Sequence, residues 1–474
     1  MQQTKPERGQ VIDGFTLGKP LHEGGFASIW EVSHPDHDLP MVMKLPLLSQ
    51  GHSAAAIVGF EVEQMILPRL GGPHVPKVLA LGDFAATPHI VMERIPGGSM
   101  WQHVKAGSPA PIGQVIELAA RMAEAVHALH RQHVIHLDLK PDNFLQRPDG
   151  TVVLIDFGLS RHDQLPDLLA EEFTIPMGTF PYIAPEQFLR ERGDLRSDLY
   201  ALGVMIYQLA TGQLPFGTPQ DLKGVRRRLW ADPMPPRVLR PEIPEWLQEI
   251  ILRAMEVMPD NRYQSAAQMV FDLTHPLQVR LTARAHKRAR IGFWQELARR
   301  RQMARVTSLG APRSTAEQLH SAPILLIAVD LGVGMEPLAQ ALLHTAKRML
   351  ILQPDARLAC VNVMRPAKRG MAGFSETGND QAHVARLLGL RDWAQSIDLP
   401  QDRLTFSVLE NTDAASAILE HASALGADHI LMGARGHSTT RRYLGSVSAR
   451  VVAEAASSVT VIRLPDQLPP PNQP

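Results

Sequence analysis

The chain contains a single cysteine, Cys360, set in an apolar run, so no internal disulfide can form. It also lacks net charge, with 48 Lys and Arg against 48 Asp and Glu, and so lacks the charge excess that would argue disorder. Its longest apolar runs, such as "APILLIAVDL", fall well short of the roughly 18 to 20 residues that span a bilayer, and no transmembrane segment is expected. The N-terminal "MQQTKPERGQ" has no apolar core of a secretory signal, which with the lone cysteine makes a reducing cytoplasm the expected compartment. What remains is a composition of packed soluble protein, 45% hydrophobic and 20% charged.

At 474 residues the chain is too long for one ordinary core, and two or three domains are expected. Residues 11–95 read as short β segments interrupted by one helical pattern, "AAAIVGFEVEQMILPRL". From 96 to 275 the helical period dominates. In "GQVIELAARMAEAVHALHRQH" it puts Val115, Leu118, Ala119, Met122, Val126 and Leu129 on one face, whereas "DLYALGVMIYQLATG" is apolar nearly all round and therefore buried.

Positive charge is local. Between Pro276 and Arg313 ten Lys and Arg (Arg280, Arg284, Lys287, Arg288, Arg290, Arg299, Arg300, Arg301, Arg305 and Arg313) face one acid, Glu296, a net +9. Residues 276–320 read as a helical extension to about Val306 and then a linker, "TSLGAPRST". The charge run could face an anionic membrane or nucleic acid, but a solvated helix face or an arm packed on an acidic lobe is the favoured reading, as such runs more often are. After Ser321 strand and helix patterns alternate to residue 465, with continuous apolar strands such as "ILLIAVDL" and "DHILMGA", which argues a parallel, doubly wound α/β sheet. The tail from 466 to 474, with "LPPPNQP", reads as disordered, and no internal repeat is visible.

Several motifs in the first 275 residues occur in one order: "LHEGGFASIW", "MVMKLP", "FEVEQMIL", "VMERI", "HLDLKPDNFL", "LIDFG", "MGTFPYIAPEQ", "RSDLYALG" and "PDNRY". Taken singly each has a bland reading. "DLKPDN" could be a solvent-facing turn, Lys44 a surface lysine and Glu63 a solvated helix residue. Together they resemble a eukaryotic-type Ser/Thr protein kinase, which implies a small β lobe (11–95), a larger helical lobe (96–275) and a cleft for Mg·ATP.

The resemblance implies a role for each position. Gly24, Gly25, Ala27 and Ile29 belong to the phosphate cradle, which departs from its glycine pattern at His22 and Ala27. Lys44 would hold phosphates and pair with Glu63, Glu61 being the fallback. Val42 would lie above the adenine, Met92 would guard the pocket behind it, and the backbone of Glu93 and Ile95 would meet its edge. Asp138 would orient and accept the proton of a substrate hydroxyl, Lys140 would hold the departing γ-phosphate, and Asn143 and Asp156 would bind Mg²⁺. Thr179 would bond to Asp138 and Lys140, and with Lys140 implies Ser or Thr as the target. Asp198 would accept catalytic-loop amides, and Glu186 would pair with Arg262. Leu137 replaces the Arg that in many relatives meets an activation-loop phosphate. Thr174 is a candidate autophosphorylation site, with activity not strictly dependent on it.

In the last third, the acidic Asp330 at the end of the first strand and the loop "GARGHSTTRRYLGSVS" resemble the universal stress protein family. Gly433, Gly436, Gly445 and Ser446 match its G-x-x-G…G-S pattern, which implies a second nucleotide site at a helix N-terminus. Eight residues separate Gly436 from Gly445, where the familiar pattern has nine. A folded module that serves dimerisation or docking is the alternative. For the whole chain the expected function is Mg·ATP-dependent phosphorylation of Ser/Thr in protein substrates, with a regulatory, nucleotide-sensing or homodimerising C-terminal module. A pseudokinase scaffold or a nucleotide-binding stress sensor is the alternative.

Overall fold

The computed structural model describes residues 6–24, 27–47, 54–83, 87–104, 109–172, 176–218, 222–290, 292–303, 306, 308–309, 315–365, 376–399, 403–434 and 445–464. Among them no helix is long and apolar enough to cross a membrane. The chain forms two compact units, one of residues 1–276 with 281–319, the other of 277–280 with 320–474.

The first unit begins with a six-stranded antiparallel sheet of β1 (Val11–Ile12), β2 (Phe15–Glu23), β3 (Ala27–His34), β4 (His37–Pro46), β5 (Val78–Leu81) and β6 (Ile90–Glu93), in the order β1-β2-β3-β4-β6-β5. Strand alternation decides what faces where. In β4, Met41, Met43 and Leu45 enter the core with Trp30, Val32 and Val91, so Val42 and Lys44 take the opposite face, opposite Met92 and Ile90 of β6. Helix α1 (Ala54–Ile66) buries Phe60 and Glu63. A Cβ on its Gly59 would stand 3.0 Å from Gly158 O, so a side chain there would push the helix off the "DFG" segment.

The helical part is organised around helix Arg196–Thr211, every residue of which is buried. Apolar side chains on all faces make it a core rod, and the same burial forces its one carboxylate, Asp198, to find hydrogen-bond donors. Helix Ile112–His130 packs its apolar stripe inward, and all six positions from Val115 to Leu129 named above are buried. The segment 281–319 belongs to this unit and contains helix Phe293–Met303 and most of helix Thr315–Ser321.

The second unit is a five-stranded parallel sheet of Ile324–Ala328, Arg357–Met364, Leu404–Glu410, His429–Gly433 and Ser458–Ile462. The strand order is third, second, first, fourth, fifth. The order reverses direction at the first strand, which opens a crevice at the carboxyl ends of the first and fourth strands. Its core joins Leu325, Ile327, Leu342, Cys360 and Trp393, and burial pushes the Cys360 thiol up to about 12. Gly433 has no room for a side chain, since a Cβ would lie 2.4 Å from Leu338 Cδ2.

Candidate active site and second cavity

Three charged groups converge where β4, α1 and the "DFG" segment meet. Lys44 Nζ bonds to Glu63 and lies 2.8 Å from Asp156 Oδ1. Burial alone would lower the lysine, but the two carboxylates outweigh it and hold its pKa above the usual value. The charge of Lys44 holds Asp156 down to about 2, while burial pushes Glu63 up against the same lysine. Lys44 and Asp156 are therefore charged at neutral pH. Asp156 sits at φ 67, a left-handed conformation that a non-glycine residue keeps only when its surroundings fix it.

The Asp138 carboxylate is held from two sides. Asp138 Oδ1 accepts from Thr179 N at 2.8 Å and from Thr179 Oγ1 at 2.7 Å, and Oδ2 accepts from Lys140 Nζ at 2.7 Å. Asn143 Nδ2 donates to Asp138 O at 2.9 Å, which fixes its amide plane and leaves Oδ1 as the acceptor atom. Asp198 accepts from His136 N at 2.8 Å and Leu137 N at 2.9 Å, so the buried rod carries the backbone just before Asp138. Leu137 is buried at φ 64, with its N–H on Asp198 and its carbonyl accepting from Gln187 Nε2 at 2.7 Å. Those bonds offset a left-handed strain of about 1–2 kcal/mol. Glu186 and Arg262, both fully buried, form two parallel bonds of 2.7 Å.

A cavity of about 290 Å³ brings together Ala27, Lys44, Glu63, Asp138, Lys140 and Asp156, with Thr179 on its wall. Val42, Met92, Glu93 and Ile95 lie outside its lining. Val42 and Met92 pair across β4 and β6, and Ile95 is buried just past β6. Gly24 turns between β2 and β3 with its N–H on Ala27 O, and Ile29 pairs with Lys44. Gly25 and Thr174 lie outside the described residues.

In the second unit a cavity of about 960 Å³ gathers Asp330, Gly433, Gly445 and Ser446. Ser446 opens helix Ser446–Glu454, with Gly445 before it. Gly436 lies outside the described residues. Asn362, Arg365, Arg386 and Asp413 line the same cavity and were not singled out by the sequence. Asp330 Oδ1 accepts from Gly332 N at 2.9 Å, and Asn362 Nδ2 donates to Val329 O at 2.8 Å.

A family model described as "Protein kinase domain" matches residues 15–277. The chain belongs to the protein kinase family. Residues 323–463 match the model of the universal stress protein family, whose doubly wound parallel sheet the second unit shows. Among curated relatives, a probable serine/threonine-protein kinase of Clostridium perfringens is 31% identical over 266 residues, 56% of this chain and 38% of that protein. The serine/threonine-protein kinase PknB of Mycobacterium leprae is 28% identical over 267 residues, 56% of this chain and 43% of that protein. The chain thus spans about two fifths of the length of the curated relatives it matches. The crystal structure of the Mycobacterium tuberculosis PknI kinase domain matches with a TM-score of 0.46 at 22% identity, covering 57% of this chain and 99% of that one.

Other residues brace the segments around the cavity without having stood out in the sequence. Gln187 follows the "APE" motif directly and ties it to the catalytic loop; a polar residue at a motif's edge was the available signal. Arg147 holds the Glu93 carboxylate at 2.6 and 3.0 Å across a 54-residue separation, and Arg192 holds Asp167 at 3.0 and 3.2 Å while donating to Leu159 O. No spacing rule connects such distant partners.

Proposed function

We propose that the chain transfers the γ-phosphate of Mg·ATP to Ser or Thr hydroxyls of protein substrates, itself included. The observation that carries this reading is the double hold on Asp138. Thr179 engages one carboxylate oxygen and Lys140 the other, inside the cavity that also contains Lys44 and Asp156. Held this way, Asp138 accepts the proton of the attacking hydroxyl as its oxygen bonds to the γ-phosphorus and the bond to the bridging oxygen of ADP breaks. Lys44 and Lys140 neutralise phosphate charge on the two sides of that bond.

The donor set of Asp156 and Asn143, a carboxylate held ionised and an amide oxygen, suits a hard cation such as Mg²⁺. When bound, the cation supplies positive charge to the phosphate oxygens. The scaffold alternative rested on His22 and Ala27 in the cradle, and the convergence of Lys44, Asp138, Lys140 and Asp156 favours transfer over it. The universal stress protein module is read as a nucleotide-sensing regulatory unit. Arg365 and Arg386 add two cationic groups to the cavity that already contains Gly445 and Ser446, and this favours a phosphate ligand over a purely structural role.

Purified full chain incubated with Mg·ATP and a generic basic protein tests the kinase reading, with phosphosites mapped by mass spectrometry. Transfer by wild type and none by Asp138→Asn supports it. Bound ATP without transfer in either overturns it.

A further inference from the structure

Part of the segment 281–319 reaches the backbone that carries the catalytic loop. Gln318, buried to 5% exposure, makes two bonds to the turn before helix Arg196–Thr211. Its Oε1 accepts from Leu195 N at 3.0 Å and its Nε2 donates to Gly193 O at 2.8 Å. Thr315, fully buried, donates through Oγ1 to Asp163 Oδ1 at 3.0 Å, and Leu309 N donates to Glu191 Oε1 at 2.9 Å. Asp163 lies seven residues beyond Asp156, and Glu191 to Leu195 follow the "APE" motif. These three contacts therefore grip both ends of the activation segment.

The grip has a short path to the chemistry. Leu195 is the residue before the first turn of helix Arg196–Thr211, and Asp198 in that turn accepts the amides of His136 and Leu137, next to Asp138. A shift of that turn carries Asp198 with it, and misplacement by a fraction of an ångström is enough to lower a transfer rate. A solvated linker has no reason to bury an amide side chain with both of its polar atoms satisfied by another segment's backbone.

We propose that Gln318, supported by Thr315, is a positioning residue of the kinase, and that residues beyond the family's catalytic domain complete its active conformation. The chain passes from Leu319 to the first strand of the universal stress protein module within five residues, so this residue is also the covalent point at which that module can act on the catalytic loop. The proposal rests on the kinase reading given above.

The test uses the full chain with Gln318→Met, which keeps volume and removes both bonds, Thr315→Val, and Arg284→Met as a control. Arg284 pairs with Glu249 and Glu256, away from the Leu195 turn, and stabilises the same segment. Expected for Gln318→Met is a loss in kcat of about tenfold, from two hydrogen bonds, with KM for ATP unchanged and faster amide exchange at residues 193–195. Thr315→Val should give a smaller loss of the same kind. Arg284→Met should lower the melting temperature and keep kcat.

Wild-type kcat and exchange in Gln318→Met would overturn the proposal, as would an equal loss of kcat in Arg284→Met. If wild type transfers no phosphate, the kinase reading fails instead, and exchange at residues 193–195 still decides whether Gln318 holds that turn.

Discussion

In the kinase cleft Lys44, Glu63 and Asp156 are bonded side chain to side chain, and Asp138 is shared by Thr179 and Lys140. In the second cavity Asp330 and Asn362 each bond to nearby backbone, Arg386 reaches Asn362 at 3.5 Å, and the space is about three times larger. The first arrangement fixes charges relative to one another before any substrate arrives, which is what transition-state stabilisation requires. The second fixes the walls and leaves the room to a ligand, which is what binding requires. One chain therefore carries a tightly bonded cluster of charges and a larger open cavity.

The strongest break of that contrast is Asp138→Asn. Removing the base should lower phosphate transfer by about 10²–10⁴-fold with ATP affinity unchanged, read by radiolabel transfer and by equilibrium binding. Next comes Arg262→Met, which leaves Glu186 buried without its cation. It should cost about 3–5 kcal/mol, read as a fall in the denaturant midpoint.

For the second cavity, Arg386→Ala in an Asp138→Asn background should weaken one of two ATP-binding events by about tenfold and leave the other intact, as expected for a charged hydrogen bond. Calorimetry would resolve the two, and two unchanged sites would return the module to a docking role.

The smallest effect concerns pH. Burial, with the charges of His130 and Arg131, pushes His127 down to about 4. Its folded value lies below the ordinary 6.5, so the stability from its neutral ring is present above that pH and is lost as pH falls toward 4. Asp156, held at about 2 by Lys44, keeps its contribution until pH falls below about 3.8. The Lys44–Asp156 pair thus outlasts His127 on acidification, and His127→Gln should flatten the melting temperature between pH 6.5 and 4.

The fold was readable because its signals are local. The alternation in "MVMKLP" sorts core from cleft within six residues, the nearly all-round apolar run at 198–212 argues a buried rod, and continuous apolar strands between helices argue a parallel sheet. Lys44, Glu63, Asp138, Lys140 and Asp156 are scattered over more than a hundred residues, and their convergence was inferable only from the order of motifs.

The Arg-rich segment was ambiguous for the same reason. Charge is visible in a sequence, but its partner is not. Arg284 meets Glu249 at 2.8 Å and Arg299 meets Asp232 at 2.7 Å, 35 and 67 residues away, Lys287 bonds to the same Asp232, and Arg300 lies over the Trp230 ring. These contacts make this stretch an arm packed on its own lobe.

Leu137 remains the position with the widest consequence. An apolar side chain, buried to 4% exposure, occupies the place beside the Asp138 carboxylate, and its backbone is held by the Asp198 carboxylate and the Gln187 amide. Leu137 itself offers no cationic group to a charge on the activation segment. Under the proposal made for Gln318, regulation would reach this loop through the backbone that Gln187, Asp198 and Gln318 hold in place.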